Sequence, residues 1–184
     1  MTDELLDVVN EKDETLGREL RSAVHARGLL HRGVHIFLAT PDGRLLVQKR
    51  GRNQDTYPLA LDCSVSEHVK AGEGYLKAAR RGLWEELGLE AVPLRALVKF
   101  KMEYGPGDLE ICQLYEGRAD PEAVRFDPGE VEAVASYSLD ELKGMARGGK
   151  TQFSSWLVEL LNWYSGKPSR LEVLKTYPAR RRLG

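Results

Sequence analysis

Glu85 and Glu86 lie side by side near the end of a stretch whose apolar residues recur with helical spacing. Neighbours on a helix are about 100° apart around the axis. Both carboxylates can therefore point toward a loop on one side while Leu83 and Leu87 face a core. Two such carboxylates repel each other unless a cation sits between them. A hard divalent ion with oxygen ligands removes that cost. Mg²⁺ (or Mn²⁺) also neutralises and orients a diphosphate and helps to activate a water. Glu73 sits just ahead of the stretch, where the helix dipole favours negative charge. It precedes Arg81 by eight residues, so the two meet only if a loop folds back. A Glu-Glu pair alone is ordinarily a solvated face. The surrounding spacing is what gives this one weight.

The elements that position these residues are legible in outline. Gly74 to Leu87 is the clearest helix, with Leu76, Ala79, Leu83 and Leu87 at helical spacing and Gly88 as its stop signal. Leu5 to Asn10 reads as a strand, and Gly17 to Arg27 as a short helix or turn. Arg32 to Thr40, the turn Pro41-Asp42-Gly43 and Leu45 to Val47 read as a β-hairpin. Arg50 to Pro58 is a polar loop and Leu59 to Val65 a strand. Leu94 to Tyr104 and Leu109 to Glu116 are strands around Gly105-Pro106-Gly107-Asp108, and Val131 to Tyr137 is another. Ser138-Leu139-Asp140-Glu141 has the capping-box form and opens a helix over about 139–147. A last helix covers about Phe153 to Tyr164. From Lys167 the chain reads as a basic, solvated tail ending in Arg180-Arg181-Arg182. Strands joined by hairpin-like turns, with helices between and after them, make an α+β pattern rather than a run of βαβ units.

The segment from Glu67 to Leu89 resembles the Nudix box, Gly-x5-Glu-x7-Arg-Glu-apolar-x-Glu-Glu-x-Gly-apolar. Glu73, Arg81, Leu83, Glu85, Glu86, Gly88 and Leu89 match in register. The resemblance covers roughly residues 30 to 165. It implies an α/β/α sandwich around a mixed β-sheet, with the box as a loop-helix-loop segment. It also implies metal held by Glu85 and Glu86, orientation of those carboxylates by Arg81, and a structural part for Glu73 and Gly88. Two positions depart from the pattern. Glu67 stands at the leading Gly, and Gly82 stands where the family has a third metal-binding Glu. A carboxylate from another strand or loop is one replacement, with Glu103, Asp108 and Glu110 as candidates. Weaker metal binding, or ligand binding without turnover, is the other consequence.

Outside the box the chain is similar to isopentenyl-diphosphate isomerases, which share the Nudix fold. Their second metal site uses three His and two Glu, beside a catalytic Cys. His31 and His68 match two of those His, and Val24 stands at the third, with His25 adjacent. Asp108-Leu109-Glu110 matches the Glu-x-Glu pair. Ser66 occupies the catalytic Cys position, and a hydroxyl is a far poorer proton donor than a thiol of pKa about 8.5. Phe153-Ser154-Ser155-Trp156 resembles a segment whose Trp lines the isomerase pocket. Isomerase-like Nudix hydrolases share the N-terminal extension without the isomerase residues, and the chain fits these better.

The chain is thus expected to be one Nudix domain over residues 1–184, with a strand-bearing extension over about 1–29 and the basic tail over about 167–184. The expected activity is Mg²⁺-dependent hydrolysis of a diphosphate linkage in a nucleotide or nucleoside-diphosphate derivative. The expected catalytic residues are Glu85, Glu86 and Arg81, the metal ligands Glu85, Glu86 and Glu110, and the substrate contacts Arg50, Lys70 and His68. The alternatives are an isomerase-like enzyme or a non-catalytic binding module. With 27 basic against 28 acidic side chains, the composition gives no general pull toward nucleic acid or an anionic membrane. No apolar run approaches the roughly 20 residues of a membrane span. The acidic start, Met1-Thr2-Asp3-Glu4, does not read as a signal peptide. Cys63 and Cys112 lie in apolar runs and read as buried, reduced thiols. A cytoplasmic protein acting on a small molecule is the expectation, and the resemblance adds a homodimer as common among such relatives.

Overall fold

The computed structural model describes residues 3–178 except residue 106. Strands β1 (Leu5–Val9) and β2 (Thr15–Leu20) form an antiparallel hairpin that leads into helix α1 (Arg21–Arg27). The region expected as a helix or turn over Gly17 to Arg27 is therefore strand as far as Leu20. Leu20 pairs with Leu5, and the helix begins only where that pairing ends.

β3 (His31–Ala39) organises the main sheet. It runs parallel to β8 (Asp108–Arg118) and antiparallel to both β4 (Leu45–Arg50) and β6 (Val65–His68). β4 also pairs with β5 (Leu61–Asp62) and β9 (Val131–Tyr137), and β8 with β7 (Arg95–Gly105). The sheet is mixed, as expected. Leu59 to Val65 is not one strand. The serine hydroxyl of Ser64 donates to the carbonyl of Leu46 (2.5 Å) and accepts from the amide of Leu38 (2.8 Å), so the chain crosses from β4 to β3 there. β10 (Glu172–Thr176) pairs with β7, so the segment expected as a free tail contributes an edge strand with exposed side chains. Arg180, Arg181 and Arg182 lie outside the described residues.

Alternate residues of a strand face opposite sides of a sheet. Val34, Ile36 and Leu38 of β3 pack with Ala78, Ala79, Leu83 and Leu87 of helix α2 (Tyr75–Leu87). On the other face Phe37 packs with Phe100, Leu114, Leu142, Leu157 and Leu160, beneath α3 (Leu139–Gly148) and α4 (Ser155–Tyr164). Helices cover both faces, and the α/β/α sandwich follows. Gly88 ends α2 at φ 64°, a left-handed conformation that favours glycine. The capping box at Ser138 and Glu141 is complete. No helix among the described residues is long and apolar enough to cross a membrane.

Candidate functional site

Arg81 is the hub of the segment ahead of and along α2. Its guanidinium donates to Glu67 (2.6 Å), Glu85 (2.9 Å), Glu73 (3.0 Å) and the carbonyl of His68 (2.8 Å). The loop folds back to bring Glu73 there. The amide of Glu73 donates to the carbonyl of Lys70, and the amide of Lys70 donates to the Glu73 carboxylate (3.2 Å). Burial opposes the charge on Arg81, but its carboxylates outweigh burial and raise its pKa further. A planar fork is the group suited to holding several carboxylates at once.

Glu85 and Glu86 do not share an outlook. Glu85 is exposed and meets Arg81 and, at 3.9 Å, Lys70. Glu86 is buried and accepts from the side-chain amide of Gln48 at 2.7 Å. Burial pushes the Glu86 carboxyl well above its ordinary range, and the charges of Glu67 and Asp62 add to this. Glu67 is raised to about 7 by burial, against the pull of Arg81. A Cβ on Gly82 would lie 2.7 Å from Val65 Cγ1 and 3.3 Å from Glu67 Cβ and Cγ. Real atoms do not approach that closely without movement. The strand thus passes where a side chain at 82 would emerge.

A second cluster forms at the ends of β3, β6 and β8. His31 lies opposite Glu110 in register, and His68 lies opposite Gly33. α1 adds His25. The three imidazole rings have centroids 4.9 to 5.3 Å apart. His31 Nε2 and His68 Nε2 are each 3.6 Å from Glu110 Oε1, and His25 Nδ1 is 3.4 Å from Asp108 Oδ1. His31 Nδ1 is 2.9 Å from the carbonyl of Leu29, which orients the ring. His25 Nε2, His31 Nε2 and Asp108 Oδ1 are buried without a hydrogen-bond partner among the described residues. Buried polar atoms are ordinarily satisfied. Burial lowers the pKa of His68 to about 3 and also lowers that of His25. For His31 burial is outweighed by Glu110, and its pKa rises. Glu110 is lowered despite burial by the adjacent imidazoles, His31 foremost, whereas burial and the Glu110 charge raise Asp108 to about 7. Val24 at the expected ligand position is fully buried in the core, and the adjacent His25 takes the place.

A buried polar chain runs from this cluster into the sheet. Cys112 Sγ donates to Glu110 (2.9 Å), and Tyr104 donates to Cys112 (3.4 Å). His35 bonds Tyr104 (2.9 Å) and Ser66 (3.0 Å), and Ser66 donates to Asp62 (3.1 Å). Asp62 also accepts from Trp156 Nε1 and from Arg50 (2.7 Å).

Of the residues expected at the site, Arg81, Glu73, Glu85 and Lys70 form one cluster, and His68 and Glu110 form the other. His68 faces His25, His31 and Glu110. Arg50 donates to Asp62 and lies 5.4 Å over the Trp156 ring. Glu103 is exposed and outside both clusters. His25, His35, Tyr104, Gln48 and Cys112 were not singled out from the sequence as site residues. Only His25 had a signal there, its place beside the position matched by Val24.

A sequence model described as the NUDIX domain matches residues 29–157. The chain belongs to the Nudix family. An uncharacterized Nudix hydrolase of Streptomyces coelicolor is 37% identical over 153 residues, 82% of each chain. An isopentenyl-diphosphate Δ-isomerase of Serratia proteamaculans is 30% identical over 163 residues, 86% of this chain and 90% of the other. The crystal structure of a Deinococcus radiodurans protein has TM-score 0.74 at 30% identity, covering 87% of this chain and 98% of that one. The expectation of a Nudix hydrolase, an enzyme of phosphoric anhydride bonds, is met at the level of the family.

Proposed function

We infer that this Nudix protein hydrolyses the diphosphate linkage of a nucleotide or nucleoside-diphosphate derivative with Mg²⁺ or Mn²⁺. The observation that carries this reading is the carboxylate excess at α2. Glu67, Glu73 and Glu85 crowd one guanidinium, and the buried Glu86 lies close enough to feel the charge of Glu67. Hard carboxylate oxygens fit a hard divalent ion. Glu85 and Glu86 would hold it, with Glu110 as a further donor from the neighbouring cluster. Such an ion supplies charge neutralisation on the diphosphate and a more acidic water. Arg81 fixes the carboxylates in place, and Glu73 and the His68 carbonyl fix Arg81. Lys70, partly exposed beside Glu85, offers a charge for phosphate oxygens. Glu85 or Glu86 accepts the proton of the attacking water. The reading places the protein in the cytoplasm, where the free thiols Cys63 and Cys112 stay reduced.

One observation favours a second reading, movement of the double bond in an isoprenoid diphosphate. The histidines and acids that the resemblance names for the isomerase metal site come together around Glu110, with His25 in place of the residue at 24. Ser66 at the thiol position counts against it. An assay of nucleoside diphosphates and triphosphates, nucleotide sugars, dinucleotides and isopentenyl diphosphate separates the two. Hydrolysis gives metal-dependent phosphate or nucleotide release, and isomerisation gives an allylic product with no phosphate release. Substitution Glu86→Gln distinguishes both from a non-catalytic binder, whose ligand affinity it leaves intact.

A further inference from the structure

The two departures of this chain from the box touch each other in space. Glu67 and Gly82 are fifteen residues apart in sequence. In the fold, Glu67 Cβ and Cγ are each 3.3 Å from the place where a Cβ on Gly82 would stand. On β6, Val65 and Glu67 face α2, whereas Ser66 faces His35 on the other side of the sheet. The Glu67 carboxylate therefore enters the α2 carboxylate group from the strand, at the turn of helix that has no side chain.

Three observations say that it arrives as a potential ligand. Its Oε2 and the Glu85 Oε2 touch the same nitrogen, Arg81 Nη1, at 2.6 and 2.9 Å. The guanidinium occupies that point and holds the two oxygens close enough together for a cation beside it to reach both. The Glu67 side chain is only 16% exposed, so its position is set by packing rather than by solvent. Donor atoms of Glu4 and His68 also lie within 4.8 Å of its own.

We propose that Glu67 supplies the carboxylate that Gly82 lacks, so that the divalent-cation triad of this chain is Glu67, Glu85 and Glu86. One ligand has moved from the helix to the facing strand. The glycine is then the partner of the exchange, because a side chain at 82 would overlap Val65 and press on the acid at 67. This rests on the reading of α2 as the cation site. It does not require that any particular substrate be hydrolysed.

The test is Mn²⁺ binding to the full chain without substrate, followed by electron paramagnetic resonance. His31→Ala is the common background, so that ions held by the histidine cluster do not contribute. Glu67→Gln should weaken Mn²⁺ binding by about tenfold or more, since affinity at such sites follows ligand charge. Glu67→Gly should do the same. The compensated exchange Val65→Ala/Glu67→Gly/Gly82→Glu returns the acid to the helix and clears the space for it. It should restore affinity to within about threefold of the parent, while Val65→Ala alone leaves affinity unchanged. Mn²⁺ binding by Glu67→Gln equal to that of the parent overturns the proposal. So does a folded exchange variant, judged by its circular dichroism, that stays as weak as Glu67→Gly. If Glu67→Gly does not fold, Glu67→Gln and the exchange variant decide. A chain that loses Mn²⁺ at Glu67→Gln yet releases phosphate from no substrate supports the ligand assignment and counts against the hydrolase reading alone.

Discussion

At the scale of single residues, the site is defined by acids gathered around one guanidinium. The buried Glu86 lies close to them. Burial and the neighbouring acids Glu67 and Asp62 oppose its charge, and a bound cation reverses that balance. Glu86→Gln keeps the shape and the Gln48 contact but removes the charge. We expect kcat to fall by on the order of a hundredfold or more, with Tm of the metal-free protein unchanged or higher, as steady-state kinetics and thermal melts would show. Glu67 gives the pH dependence. Its pKa is raised to about 7 in the fold from an ordinary 4.5. The stability tied to its protonated form is fully present below about 4.5 and is lost as pH rises through about 7. His68 acts in the opposite sense. Its pKa is lowered to about 3, so its contribution is present above about 6.5 and is lost as pH falls toward 3. In metal-free melts from pH 5 to 8, the Tm advantage of Glu67→Gln over the parent should therefore grow with pH. A difference that is constant or shrinks over that range would contradict the assignment. The Glu73–Arg81 partnership was legible in part, because the family spacing named both residues. The contact of Glu67 with Gly82 was not, because it joins a strand to a helix and has no signature in local spacing.

At the scale of elements, the helix α2 and the strand β6 are fitted to each other at Gly82. Replacing a helical glycine by alanine ordinarily stabilises by about 1 kcal/mol. Here the added Cβ would lie 2.7 Å from Val65 Cγ1. We expect Gly82→Ala to destabilise by about 1–3 kcal/mol in urea unfolding, and Val65→Ala to relieve much of that when combined with it. Additive losses in the double variant would show that the two sites do not meet. Elements with local signals matched their expectations closely: the helix ending at Gly88, the capped helix after Ser138, and the strand Val131–Tyr137. Those set by pairing with another segment did not. β2 exists because Thr15 to Leu20 meets β1, and β10 because Glu172 to Thr176 meets the edge of β7. The divided run after Leu59 follows from Ser64 bonding two other strands. The partners of β10 and of Ser64 lie far off in sequence, whereas β1 and β2 meet across the short turn at residues 10–14, and Thr15 to Leu20 lacks the strict alternation that marks a strand.

At the scale of the whole molecule, the N-terminal hairpin and α1 close the sheet end where both clusters lie. They bring Glu4 beside Lys70 (3.0 Å) and His25 beside Asp108 (3.4 Å). The two clusters differ in donor chemistry, carboxylates on the α2 side and imidazoles with Glu110 on the other. Co²⁺ or Zn²⁺ is expected to prefer the second, and His31→Ala should lower Co²⁺ affinity by about tenfold or more in a visible-absorption titration. Retention of the Co²⁺ spectrum in that variant would remove the cluster as a metal centre. The measurement that tests the central claim most directly is phosphate or nucleotide release from the diphosphate panel with Mg²⁺ or Mn²⁺, comparing the parent with Glu86→Gln. The account predicts metal-dependent release from at least one class by the parent and its loss in the variant. Release that survives Glu86→Gln, or no release by the parent from any class, would contradict it.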